Sequence, residues 1–101
     1  MLMYMKVTHG RIRQGAWKEF EAAYKRVVDG PIPGLRARYL VRDMDDRDCG
    51  HSITVWESLE AMRAYEASDL FKKVIEPALQ PFFANEFKTS VSEIALQKSD
   101  G

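Results

Sequence analysis

Two histidines, His9 and His51, are the side chains of this sequence whose unperturbed ionisation falls near neutral pH. His9 lies beside Gly10 on an alternating segment, and His51 opens another such segment after a polar turn. Each reads most simply as a solvated or satisfied strand residue; a proton acceptor is the sharper alternative. The stretch WESLEAMRAYEASDLF supplies Trp56, Tyr65 and Phe71. Their spacing suits a packed core, and the same rings suit the wall of a cavity for a flat organic molecule. The stretch DMDDRDCGH gathers Asp43, Asp45, Asp46, Asp48, Cys49 and His51. It follows neither the calcium-loop pattern nor a zinc-cluster spacing, so it reads as a solvated turn and no metal is expected. Cys49 has no CxxC partner, and no nucleophile is assigned to it.

The elements that must position these residues follow from periodicity. MYMKVTHGRI alternates, with Met3, Met5, Val7 and His9 on one side and Tyr4, Lys6 and Thr8 on the other, which predicts a strand. Trp17, Phe20, Tyr24, Val27 and Val28 then form one helical stripe. Asp29-Gly30-Pro31 ends it, the glycine suiting a left-handed stop. LRARYLVRD alternates again, placing Leu35, Ala37, Tyr39 and Val41 opposite Arg36, Arg38, Leu40 and Arg42. After a turn in which Gly50 can take positive φ, HSITVWE makes a third strand; the short polar link predicts an antiparallel hairpin. Ser58 caps a second helix with Leu59, Met62 and Tyr65 inward, and Ser68-Asp69 offers a new start, its cap placed at Asp69. Leu70, Phe71, Val74, Ile75, Ala78 and Leu79 make a wide apolar stripe, bent or ended near Pro77 and Pro81. NEFKTSVSEIAL reads as the last strand.

The order β-α-β-β-α-β is the ferredoxin-like α+β arrangement: an antiparallel sheet with both helices on one face and the second and fourth strands at the edges. The arginines of the second strand suit such an edge, where charge discourages stray pairing. The other sheet face is apolar for a solvated surface, which predicts a homodimer packed sheet against sheet.

Bulk numbers fit one domain, 1–101, with its core over 3–94 and a frayed tail over 97–101. Hydrophobic residues make up 46% of the chain, too many for a disordered one. Basic and acidic residues number 15 each, so no broad positive field calls for nucleic acid or an anionic membrane. A single cysteine and the lack of a long apolar run favour a reducing, cytoplasmic setting.

WESLEAMRAYEASDLF resembles the signature segment of the antibiotic biosynthesis monooxygenase (ABM) domain, through Trp56-Glu57-Ser58, Tyr65 and Ser68-Asp69-Leu70-Phe71. GAWKEFEAAY and PGLRARYLVRD fit the same pattern, and the resemblance spans about Met3 to Ile94. It implies a dimeric α+β barrel. It also implies a monooxygenase that oxygenates an electron-rich aromatic or quinol-type molecule with O2 and no cofactor, in a cavity between helices and sheet. On that resemblance the catalytic candidates are Tyr65, His9 and Trp56, and the substrate-binding candidates are Tyr39, His51, Arg38, Asn85 and Phe71. A phenol, an indole N–H and an amide can each donate to a developing oxyanion. A non-catalytic binding or structural member of the same fold is the alternative. Haem-degrading relatives are a third possibility, but Tyr65 stands at about their tryptophan position and Val74 near their axial histidine.

Overall fold

A computed structural model describes residues 2–84 and 87–100. It shows β1 (Tyr4–Arg11), α1 (Trp17–Val27), β2 (Leu35–Arg42), β3 (Cys49–Trp56) and α2 (Leu59–Glu66), in that order. A π-helical segment (Leu70–Ile75), α3 (Glu76–Leu79), a 3-10 turn (Gln80–Phe82) and β4 (Lys88–Glu93) follow. The four strands form one antiparallel sheet in the order β2-β3-β1-β4, so β2 and β4 are the edges, as the topology requires.

Strand alternation gives the sheet two unlike faces. Lys6 and Thr8 of β1, Arg38 and Leu40 of β2, and Ser52, Thr54 and Trp56 of β3 face the helices. Met5, Val7 and His9, registered against Val55, Ile53 and His51, face away from them. A register shift between Leu35 and Ala37 breaks the expected alternation: Leu35 packs on the Trp56 cluster, on the helix side.

Two apolar clusters hold the helices to the sheet. Ile12, Trp17, Phe20, Ala23, Tyr24, Ile75 and Leu79 make one; Ile32, Trp56 and Met62 make the other. The stripe expected for α1 supplies Trp17, Phe20 and Tyr24 of the first cluster, with Val27 and Val28 packed against it.

Several local expectations are corrected. α1 ends at Val27 with the Val28 amide on the Tyr24 carbonyl, and Gly30 keeps negative φ; the left-handed glycine is Gly34, at φ 82°, entering β2. Gly50 also keeps negative φ. It is required by close approach, since an added Cβ would overlap the Val41 carbonyl and the Trp17 ring. Ser58 caps α2 as expected, accepting from the Ala61 amide at 3.0 Å. The second start is held by Ser68 rather than Asp69: its hydroxyl accepts from the Phe71 amide at 3.2 Å and donates to the Tyr65 carbonyl at 2.5 Å. The following turns are π-helical, which rotates Leu70 and Val74 outward to 41% and 47% exposure while Ile75 and Leu79 stay buried. Pro77 is the second residue of α3, directly after the π-helical segment, and the helix runs on through it to Leu79.

Candidate functional site

The two apolar clusters do not meet along their whole length. Between them lies a cavity of about 500 Å³. Its floor is the helix-facing row of the sheet: Lys6, Thr8, Arg38, Ser52, Thr54 and Trp56. Its walls are Phe20 and Tyr24 of α1, Tyr65 and Glu66 of α2, and Phe71 and Ile75 of the π-helical segment. Phe83, Phe87 and Thr89 close the β4 side. Such a volume falls in the range of pockets that enclose small organic ligands.

Tyr65 sits at the junction. Its side chain packs against both clusters, with ring centroids 5.2 Å from Trp56 and 5.2 Å from Phe71. Trp56 is 1% exposed, and its Nε1–H donates to Thr54 Oγ1 at 2.8 Å, which satisfies both buried polar groups.

Polar groups converge through Arg38. Its Nη1 donates to the Tyr24 hydroxyl at 3.0 Å and its Nη2 to the Tyr65 hydroxyl at 3.3 Å. The Tyr24 hydroxyl lies 2.6 Å from Ser52 Oγ; since it accepts from Arg38, its own proton is available to Ser52. The guanidinium carbon also stands 5.6 Å from the Tyr24 ring centroid and 5.8 Å from that of Tyr65, close enough for cation–π attraction. Burial alone would lower the Arg38 pKa, but the two tyrosines outweigh it and leave it raised, so this cation persists at any working pH. Burial pushes the Tyr65 phenol above its ordinary range, with Arg38 opposing the shift. At the other end of the floor, Lys6 pairs with Glu66, tying the end of α2 to the central strand β1.

The residues singled out from sequence divide by strand phase. Tyr65, Trp56, Arg38 and Phe71 all line the cavity. The exposed-edge reading of Arg38 is thereby corrected. His9 and His51 are direct cross-strand partners on the opposite face, with rings 4.6 Å apart. Tyr39, registered against Ile53, is on that face too and is 55% exposed. The structure therefore does not bring these three to the cavity, because each occupies the other parity of its strand. Asn85 lies outside the described residues. Lys6, Glu66, Tyr24, Ser52 and Thr54 were missed. The available signal was a lysine in the middle of a central strand, in phase with Thr8 rather than with the apolar residues. The histidine of the haem-degrading pattern has no counterpart at the cavity: Val74 is half-exposed, and both histidines of the chain lie across the sheet.

Comparison with known proteins bears on the whole architecture. A family model described as antibiotic biosynthesis monooxygenase matches residues 3–77. No curated protein matches the sequence. Many solved structures share the fold. A candidate antibiotic biosynthesis monooxygenase from Bordetella bronchiseptica is 16% identical, covers 95% of this chain and 100% of its own, and superposes with a TM-score of 0.83. One from Caulobacter crescentus CB15 is 19% identical over 90% of this chain and 88% of its own, TM-score 0.80. A conserved protein from Methanosarcina mazei Go1 is 16% identical over 91% and 92%, TM-score 0.81. At such identities these likenesses speak to fold alone.

Proposed function

This chain belongs to the antibiotic biosynthesis monooxygenase family, and from that premise we propose that it oxygenates an aromatic or quinol-type small molecule in the cavity between helices and sheet, without a metal, flavin or haem. The observation that supports this most is one cation, Arg38, held by two phenols inside a largely apolar cavity. A largely apolar cavity with a fixed positive charge favours an ionised, electron-rich substrate and the oxyanion that forms on it.

On this reading the substrate supplies every electron that oxygen needs. Loss of a proton gives an anion that passes one electron to O2, and the resulting radicals combine to a peroxide. Its O–O bond then breaks as the second hydrogen on the same carbon leaves as a proton. A ring CH2 thus becomes C=O, and the other oxygen atom leaves as water. Two carboxylates line the cavity, Glu66 and Glu76, and on this reading Glu66, at the end of α2, takes the first proton. Tyr65, whose hydroxyl accepts from Arg38, keeps its own proton free to donate to the developing oxyanion. Phe71 and the Tyr65 ring, backed by Trp56, give the substrate an apolar wall.

The open sheet face supports a homodimer. Met5, Val7, Ile53 and Val55 form an apolar centre there, beside Tyr39 and Val41, which are 55% and 39% exposed. A second copy would cover them.

Oxygen uptake by the purified protein with a panel of hydroquinones and anthrones tests the reaction. Stoichiometric oxygenated product above the uncatalysed rate is expected. Background uptake across the panel would overturn it and favour the non-catalytic binding role.

A further inference from the structure

The charges of the cavity are unevenly matched. Lys6 on β1 and Arg38 on β2 are both registered against Thr54 of β3, so the two cations flank one hydroxyl in a single cross-strand row. Lys6 has its counter-ion in Glu66. Arg38 has none. Among the described residues its Nη atoms reach the hydroxyls of Tyr24 and Tyr65, and its buried Nε–H has no hydrogen-bond partner. Phenols are neutral near neutral pH, and burial keeps Tyr65 more firmly so. A partly buried guanidinium in a largely apolar pocket, with one N–H unmet and no carboxylate of the described residues in reach, is an arrangement folded proteins seldom leave uncompensated.

We infer that the ligand itself supplies the missing charge: the cavity takes an aromatic anion with its negative charge on oxygen, seated against Arg38, its ring on the apolar wall that Tyr65 and Phe71 share. This rests on the reading of the cavity as a substrate site and adds to it the protonation state and the anchor. An ionised aryl hydroxyl and an aryl carboxylate share the required chemistry. Lys6 does not compete for the anion, because Glu66 already neutralises it.

Anaerobic equilibrium titration separates this from the oxygenase reading, because no turnover is needed. The probes are 2-naphthol, 2-naphthoate and the neutral 2-methoxynaphthalene. At least one of the two oxygen acids should bind tenfold or more tighter than the methyl ether at mildly alkaline pH. Which one does so identifies the source of the charge. If it is the naphthol, its affinity should climb with pH until the free hydroxyl is fully ionised. Arg38→Gln should reduce the preference to twofold or less, and Arg38→Lys, which keeps the charge, should retain most of it. Equal binding of ether and acids by the unaltered protein would overturn the inference, as would no binding of any probe, or an Arg38→Gln protein that folds and keeps the preference. Oxygen uptake on the same samples reads the oxygenase proposal independently: anion binding without uptake sinks only the latter.

Discussion

Arg38 and Tyr65 meet through one hydrogen bond, Nη2 to phenol oxygen at 3.3 Å, and it joins an edge strand to the end of the helix that closes the cavity. Because the same tyrosine packs on both apolar clusters, this contact fixes the Arg38 head relative to both. The cavity therefore owes its polar corner to a residue that also serves as core.

Tyr65→Phe separates these two duties. The ring stays and the hydroxyl goes, so the loss of stability should be about 1 kcal/mol, the usual net worth of such a hydrogen bond. If the phenol donates to a developing oxyanion, kcat should fall by roughly 10² to 10³ while KM changes little, since only the transition state loses a partner. Denaturant titration and steady-state kinetics read the two effects separately.

The same phenol makes a prediction in alkali. Its folded-state pKa is raised above the ordinary 10.0, by burial first. The stabilisation is fully present below the unfolded pKa, because both states are then protonated. Above about pH 10 the unfolded chain releases the proton first, so stability falls as pH climbs towards the folded pKa. Spectrophotometric titration should show one late-ionising tyrosine, absent from Tyr65→Phe, and the variant should lose less stability between pH 9 and 11 (approximate limits set by that linkage).

Thr54 and Trp56 give a test of buried satisfaction. Thr54 is 6% exposed, and its Oγ1 is the acceptor for the indole N–H. Thr54→Val should cost about 1–3 kcal/mol, because it strands a buried donor. Adding Trp56→Phe removes that donor as well. The double variant should then be less destabilised than the sum of the two single changes, a coupling that a thermodynamic cycle of unfolding free energies measures directly.

Most of the fold was legible because alternation and helical stripes are strong signals over whole segments. The strand order followed from β-α-β-β-α-β, and the stripe from Trp17 to Val28 was the observed core face of α1. What was not legible was which parity of each strand meets the helices. His9 and Lys6 alternate on the same strand, and hydropathy points to the wrong face, since the apolar Met5 and Val7 lie on the open side and Lys6 and Thr8 on the helix side. That parity carries both histidines away from the cavity and leaves Lys6 and Glu66 lining it. The bulge at Leu35/Ala37 and the π-helical turns at Leu70–Ile75 were hidden for a different reason: Gly34 and Pro77 stand beside them and mark an irregularity, but neither residue says which way the phase will shift.

Lys6 and Glu66 should behave as a pair rather than as two independent residues. Their side chains are 19% and 33% exposed, so water screens them only in part. Lys6→Met leaves a carboxylate facing an apolar cavity and should destabilise the fold by about 1–3 kcal/mol, below the cost for a fully buried pair. Replacing both with Met should be milder than either single change. If Glu66 takes the substrate proton, Glu66→Gln should abolish the acidic limb of the pH–rate profile without a comparable loss of ligand affinity. Calorimetric unfolding of the four proteins and pH–rate profiles of two of them decide the matter.

The open sheet face sets the last prediction. Three cross-strand rows cross it: Ala37, Val55, Met5 and Ser92; Tyr39, Ile53, Val7 and Ser90; Val41, His51, His9 and Lys88. The first two rows are apolar over β2, β3 and β1 and turn polar only at β4, whose residues are all exposed. Ile53 is central to this patch, between Tyr39 and Val7. A lysine at Ile53 would bury an unpaired ammonium in any sheet-to-sheet contact, a cost no rim residue could offset. In a lone chain it would point into solvent and cost little. Ile53→Lys should therefore convert a dimer into an 11.6 kDa monomer with its helices intact. Sedimentation velocity at micromolar concentration, with far-ultraviolet circular dichroism on the same sample, reads both. A wild-type protein that already sediments as a monomer would remove the dimer from the functional picture and leave the cavity to act within one chain.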